Sequence, residues 1–281
     1  MTRLRLLFVA ALLPIAAPAA AQSGPEHEHW VDFPVRPVPF GPGERMSYEV
    51  SYGWAGTVGD GSLEVIGLDT IRNAPSYHLD LKLKGGMLFA KVDDHFQSWL
   101  DVEHLQSHRF DQNQHEISYK RHRIIDFHAD SGSWHQVSQR ERDGEMQVDT
   151  TTGPLATNRP LDDISFLYFA RTLPLEVGVE YELDRYFKDE GNPVILRVLR
   201  KETIKVPAGE FDTIVVQPLI KTDGLFSEDG RAEVYFTDDE HRVLVQLKTK
   251  LSIGTLNLRL ASWTPGTRLV TTGGEASEGT P

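Results

Sequence analysis

The chain has no cysteine among its 281 residues. That absence excludes disulfide staples, thiol nucleophiles and thiolate metal sites, and it removes the lipidated cysteine on which a bacterial lipoprotein anchor depends. Nucleotide and hydrolase signatures are missing as well: there is no G-x-x-x-x-G-K-[ST], no G-x-G-x-x-G and no G-x-S-x-G. Positive charge is scarce. Lys and Arg number 29 against 41 Asp and Glu, a formal net charge of −12, and an acidic chain is repelled by phosphate backbones and anionic headgroups. Nucleic acid is therefore not an expected partner. Long apolar runs are also lacking, save one at the N-terminus.

That run lies in residues 1–21. Arg3 and Arg5 precede an apolar stretch from Leu6 to Ala17, interrupted by Pro14, and the segment closes on Ala19, Ala20 and Ala21. A positive start, a short apolar middle and small residues at the end make a secretory signal peptide. The stretch is shorter than the ~20 residues a membrane helix needs. The expectation is cleavage near Ala21, a mature protein that is periplasmic or secreted, and no transmembrane span after signal removal.

Residues 22–43 are rich in Pro, Gly and His and read as an extended arm, with Trp30, Phe33, Val35 and Phe40 able to pin it. Alternation begins next. Met46, Tyr48, Val50, Tyr52 and Trp54 interleave with small or polar residues, and Tyr77, Leu79, Leu81 and Leu83 interleave with His78, Asp80 and Lys82. A period of two buries one face of a strand and wets the other. Asp60-Gly61 reads as a hairpin turn, Asn73-Ala74-Pro75 and Asp130-Ser131-Gly132 as further turns, and Gly85-Gly86 as a strand end. Strands are expected over 92–100, 105–110, 118–127, 133–139, 180–187, 194–201, 202–206, 211–220, 231–236, 243–251 and 255–263.

One segment departs from this pattern. In residues 161–173, Ile164, Leu167, Tyr168 and Phe169 suit a helical face, Asp162 or Asp163 can cap its start, and Pro174 stops it. The fold class expected is all-β, mainly antiparallel: a large curved sheet, barrel-like or a half-barrel meander, with one short helix near 162–172. Residues 44–263 form a single β-rich domain, and 264–281 a small, polar, disordered tail.

Candidate chemistry is thin. Histidines crowd the middle of the chain (His95, His104, His108, His115, His122, His128, His135), and His27 and His29 form an H-x-H, but no H-E-x-x-H occurs. Exposed partners for carboxylates are their simplest role, so no metal and no cofactor is expected. The pairs Asp93-Asp94, Asp162-Asp163 and Asp238-Asp239 point to opposite faces if in strands, which suits turns and caps better than acid–base catalysis. The cluster Lys120-Arg121-His122-Arg123 reads as a solvated edge strand. No catalytic residue is assigned.

Several stretches carry a resemblance when taken in order: GPGERMSYEVSYGWAGTVGDGSLEV, SWLDVEHLQSHRF, LDDISFLYFART, KVPAGEFDTIVVQP and VYFTDDEHRVLVQLKTKLSIGTLNLRL. Together, over roughly residues 40–263, they resemble the exported bacterial family known as domain of unknown function 3108. The resemblance implies an exported, β-rich protein and supplies no catalytic residues. The favoured reading is a non-enzymatic envelope protein that binds a lipid or amphipathic small molecule in a curved sheet, through cavity-facing aromatics Tyr48, Tyr52, Trp54, Tyr77, Phe96 and Trp99. Two alternatives stand beside it: an interaction or assembly protein meeting another envelope protein, and an unrecognised hydrolase.

Overall fold

The computed structural model describes residues 27–29, 38–53, 56–87, 90–116, 119–142, 145–221, 232–251 and 254–269. The signal segment, most of the arm, Trp54 and the tail beyond residue 269 lie outside them.

Eight strands run as a meander: β2 (Arg45–Tyr52), β3 (Thr57–Ile71), β4 (Ala74–Met87), β5 (Ala90–Asp101), β6 (Ser107–Glu116), β7 (Tyr119–His128), β8 (Ser133–Arg142) and β9 (Glu145–Pro154). Helix α1 (Asp163–Ala170) follows, and then β10 (Glu180–Leu183), β11 (Val194–Val206), β12 (Gly209–Leu219), β13 (Glu233–Thr237), β14 (Leu244–Leu251) and β15 (Gly254–Thr264). With β1 (His27–His29) they form one 15-stranded sheet in the order β1-β10-β11-β12-β13-β14-β15-β2-β3-β4-β5-β6-β7-β8-β9. Every pairing is antiparallel except β1 with β10. The strands before and after α1 are fused by the β15–β2 pair, from Leu256 opposite Tyr52 to Thr264 opposite Arg45. The expected all-β antiparallel class with one helix is the observed one.

The sheet curls round α1. Beyond β10, Phe187 packs on Phe127 of β7 and Trp134 of β8 at ring separations of 5.4 and 5.5 Å. The chain entering α1 is bonded to the same segment: the Ala156 N–H donates to the Phe187 carbonyl and the Leu161 N–H to that of Arg185. Sheet and helix thus bury a single core, from Phe40 and Met46 through Leu79 and Phe127 to Leu196, Val216 and Leu260.

Several local expectations are revised. Asp60-Gly61 lies inside β3, opposite Glu49 and Tyr48. The turn falls at Gly53–Gly56, where both glycines have positive φ (50° and 73°) that a side chain would strain. β4 continues through Gly85 to Met87, because Gly85 faces Gly59 at a corner: a Cβ on Gly59 would lie 2.1 Å from the Lys84 carbonyl oxygen. Residues 194–206 are one strand with a bulge between Val198 and Arg200, not two. β9 has no counterpart among the strands read from the sequence. Because β8 and β9 lie beyond it, β7 is an interior strand, which corrects the reading of Lys120–Arg123 as an edge.

Candidate functional site

The concave face is divided by α1. Every residue from Ile164 to Ala170 is buried, Ser165 alone being polar, so the helix lies inside the core and not on its surface. Both its ends are fixed by buried polar groups.

At the N-terminus, Asp162 accepts the N–H groups of Ile164 and Ser165 at 3.0 Å each, and the Ser165 hydroxyl accepts the Asp162 N–H at 2.8 Å, a reciprocal capping box. The other carboxylate oxygen accepts hydroxyls from Ser98 (2.6 Å) and Ser107 (2.7 Å), which ties the cap to β5 and β6. Burial nevertheless pushes the Asp162 carboxyl above its ordinary range, with these hydrogen bonds opposing it. Asp163 beside it is pushed up to about 6, by burial first and the Asp162 charge second, with Arg123 partly offsetting both. A void against this end, lined by Leu161, Asp163, Phe166, Arg185, Tyr186, Val194 and Ile220 among others, measures about 10 Å³. That holds one water at most.

At the C-terminus, Arg171 forms a bidentate pair with Glu44 at 2.7 Å for both bonds, and donates to the His241 carbonyl at 3.0 Å. Its guanidinium lies 5.3 Å from the Phe40 ring and 5.2 Å from that of Tyr168. A cation here also complements the helix C-terminus.

Past α1, along β4 toward Met87 and along β6 toward Glu116, the concave inner face continues as a trough whose lining runs from buried (Leu63, Asp94, Gln112, Ser138) to half-buried (Leu81, Leu83, Phe96, Arg121, Arg123). One cross-strand ladder describes its chemistry: Met46, Leu63, Leu81, Phe96, Gln112, Arg123 and Ser138 stand opposite one another on β2 to β8. The next ladder toward the tips passes through Tyr48, Gly61, Leu83 and Asp94, and Arg121 faces Gln114 across β6 and β7. The wall from β15 to β5 is therefore apolar, with Val58, Leu81, Leu83, Phe96 and Leu256 only partly buried. The wall from β5 to β8 carries Asp94, Gln112, Arg121, Arg123 and Ser138. Tyr52, opposite Leu256, belongs to the apolar side, and its buried hydroxyl has no hydrogen-bond partner among the described residues.

The aromatics singled out from the sequence are distributed unevenly over this surface. Tyr77 lies beneath α1, and Tyr48, at the β2 end of the ladder through Leu83, lies near Arg171 and Tyr168 at the helix's C-terminal end. Tyr48 donates to the Leu244 carbonyl at 3.0 Å, and Tyr77 packs edge-on to Phe40. Tyr52 and Phe96 stand half-buried on the inner face beyond α1. Trp99 is on the other side of the sheet, stacked 4.6 Å from His78 and donating its indole N–H to Asp69 at 2.9 Å. Trp54 is outside the described residues. Sequence reasoning did not select Gln112, Glu44 or Arg171 as parts of any site. Gln112 follows from the register of β5 with β6, but nothing local signals the pairing of Glu44 with Arg171.

Four of the mid-chain histidines each meet a carboxylate. His122 contacts Asp111 at 2.7 Å, His95 contacts Asp80, and His104 and His108 share Asp101 at 3.2 and 3.0 Å. Burial alone would raise Asp101, but hydrogen bonds from His108 and the N–H groups of His104 and Glu103 hold its carboxyl below the usual range. Among the described residues no group of three is arranged to hold a metal ion, and no helix is long and apolar enough to cross a membrane.

Comparison with solved structures returns similar chains of low identity. A beta-barrel-like protein of domain of unknown function DUF1849 from Brucella abortus is 9% identical, with 81% of this chain and 99% of that one covered and a TM-score of 0.46. A protein from Parabacteroides distasonis assigned as a lipoprotein is 11% identical, covering 81% and 98%, with a TM-score of 0.36. One from Bacteroides fragilis, assigned as exported and with a YmcC-like fold, is 9% identical, covering 80% and 97%, with a TM-score of 0.28. No curated protein matches. The family described as "Protein of unknown function (DUF3108)" matches residues 47–261, in agreement with the ordered stretches of the sequence, and the chain belongs to that family.

Proposed function

We propose that this is an extracytoplasmic binding protein, and that the trough beyond α1 receives an amphipathic small molecule of the lipid class. The observation that carries the reading is the ladder that crosses from Leu63, Leu81 and Phe96 to Gln112, Arg123 and Ser138 on one continuous concave surface. An aliphatic portion would lie on the β15–β5 wall and a polar portion would meet the β5–β8 wall. The Tyr52 hydroxyl supports the same reading, since buried polar groups are ordinarily paired and a ligand oxygen at this point would pair it. Secretion follows from the leader-like residues 1–21. The polar group with the most catalytic appearance, Asp162 with Ser98, Ser107 and Ser165, is buried and engaged in capping α1, which supports binding over catalysis.

Native mass spectrometry of protein purified from its own cell envelope tests this. The expected result is retained mass of an amphiphile, lost in Leu83→Arg. Tyr52→Phe should weaken retention while stabilising the empty protein by about 1 kcal/mol, because an orphaned donor is removed. Uniformly ligand-free wild-type protein would refute the reading.

A further inference from the structure

The sheet has two edges, and they are treated differently. One is covered: β1 pairs along β10, from His27 opposite Glu180 to His29 opposite Glu182. The other is β9, which pairs with β8 on one side and, among the described residues, with nothing on the other. Its pairing to β8 runs without a bulge from Glu145 to Pro154. Every side chain from Glu145 to Thr152 is exposed, and Met146 and Val148 are exposed to 63% and 59%. Natural edges are usually blunted by a bulge, a proline, a lysine or a short strand. β9 has no lysine, its proline stands at its last position, and it is 10 residues long.

The strand is also self-complementary in a register that sets its two large apolar residues centrally, about Val148. Two antiparallel copies related by a two-fold axis place residue i opposite a residue of equal parity, so Met146, Val148, Thr150 and Thr152 share one face of the pair. An axis through Gln147 sets Glu145 against Asp149 of the other copy, and an axis through Asp149 sets that carboxylate against itself. Like charges opposed across strands are destabilising. An axis through Val148 avoids both: Val148 meets its own copy, Met146 meets Thr150, Gln147 meets Asp149 and Glu145 meets Thr151. Asp149 is already paired within its own chain with Arg140 at 3.1 Å, which lowers the cost of bringing two acidic proteins together at this point.

We propose that β9 is a homodimer seam, in which a second copy of this chain adds its own β9 antiparallel about a two-fold axis at Val148. Main-chain hydrogen bonds supply the affinity, and the Met146–Val148–Thr150 face supplies register. A contact confined to one strand pair lies at the small end of specific interfaces, below about 1,200 Å², so the dimer is concentration-dependent.

The natural absence of cysteine makes the test direct. Single variants Val148→Cys, Gln147→Cys and Asp149→Cys are oxidised mildly at concentrations where sedimentation shows association. Only Cα atoms within about 7 Å can be bridged. Val148→Cys is expected to cross-link with itself, and Gln147→Cys and Asp149→Cys only when mixed with each other. Val148→Lys sets two cations face to face and should give a monomer with an unchanged melting temperature, because the position is exposed. A wild-type chain that sediments as monomer at every concentration overturns the seam. Cross-linking that is equal at all three positions overturns the register and with it the proposal.

Discussion

Glu44 and Arg171 lie 127 residues apart in sequence and meet as a fully buried bidentate pair, with both side chains 1% exposed. Glu44 leads into β2, Arg171 closes α1, and the His241 carbonyl reached by the same guanidinium belongs to the β13–β14 turn. The pair therefore locks the helix against both sides of the β15–β2 junction that closes the two strand blocks into one sheet.

Removing one partner strands the other. Arg171→Met leaves the Glu44 carboxylate buried without compensation, and the expected loss is about 3–5 kcal/mol in urea unfolding. Glu44→Leu leaves the guanidinium and should cost a similar amount. The double variant Glu44→Leu/Arg171→Met removes both charges and is expected to be markedly more stable than either single variant, since apolar replacement of a buried pair is often neutral. Losses that simply add would show that the two residues act independently.

The cap at the other end of α1 makes a second prediction. Asp162 serves two backbone N–H groups and two serine hydroxyls at once. Asp162→Ala should cost about 2–4 kcal/mol, the sum of a lost cap and of hydroxyls left without an acceptor. Asp162→Asn keeps a good cap acceptor and should cost about 1 kcal/mol less than the alanine. Ser98→Ala removes one charge-assisted bond and should cost about 1–2 kcal/mol. Equal stabilities for the Asn and Ala variants in thermal unfolding would remove the cap from the account.

The architecture was legible where burial imposes a period on the sequence. The alternation of Met46, Tyr48 and Val50, and of Tyr77 to Leu83, marks the inner face of β2 and β4, and Asp162 with Pro174 brackets α1. The sequence does not show that α1 docks on that inner face, because its contacts to β4 and β5 are long-range and its own burial is all-round. Tyr48 and Tyr77 thus read alike with Tyr52 and Phe96, although only the first two are buried near the helix. β9 escaped because exposure on both faces erases alternation; its backbone pairing to β8, with the Arg140–Asp149 ion pair and the Thr152 hydroxyl on the Trp134 carbonyl, holds it. With β9 unread, β7 looked peripheral and Arg121 and Arg123 looked solvated. Asp60-Gly61 misled for a different reason. The pair has turn chemistry, but Gly61 stands between Tyr48 and Leu83 in the interior of β3, where a Cβ would press on Leu83 Cδ2 at 3.0 Å.

Asp163 gives the third prediction, and its sign is opposite to that of Asp101 and Asp126. Its folded pKa is about 6, above its ordinary value of 3.8, so the folded state binds the proton more tightly than the unfolded chain. Stability from this group is fully present below about pH 4 and is lost as pH rises through about 6, a swing of at most about 3 kcal/mol and less to the extent that solvent reaches the carboxyl. Asp126 behaves in the other direction. Burial would raise it, but Arg109 and Arg72 hold it below the usual range, so its contribution is present above its ordinary pKa and lost on acidification. The wild-type profile mixes the two, and Asp163→Asn separates them. The variant should be more stable than wild type at about pH 7 and converge with it near pH 4, with the arginine-held carboxylates common to both curves. Chemical denaturation of the two proteins across that range is the measurement. A gap that does not change with pH would mean that Asp163 titrates normally, with Arg123 offsetting the cost of burial.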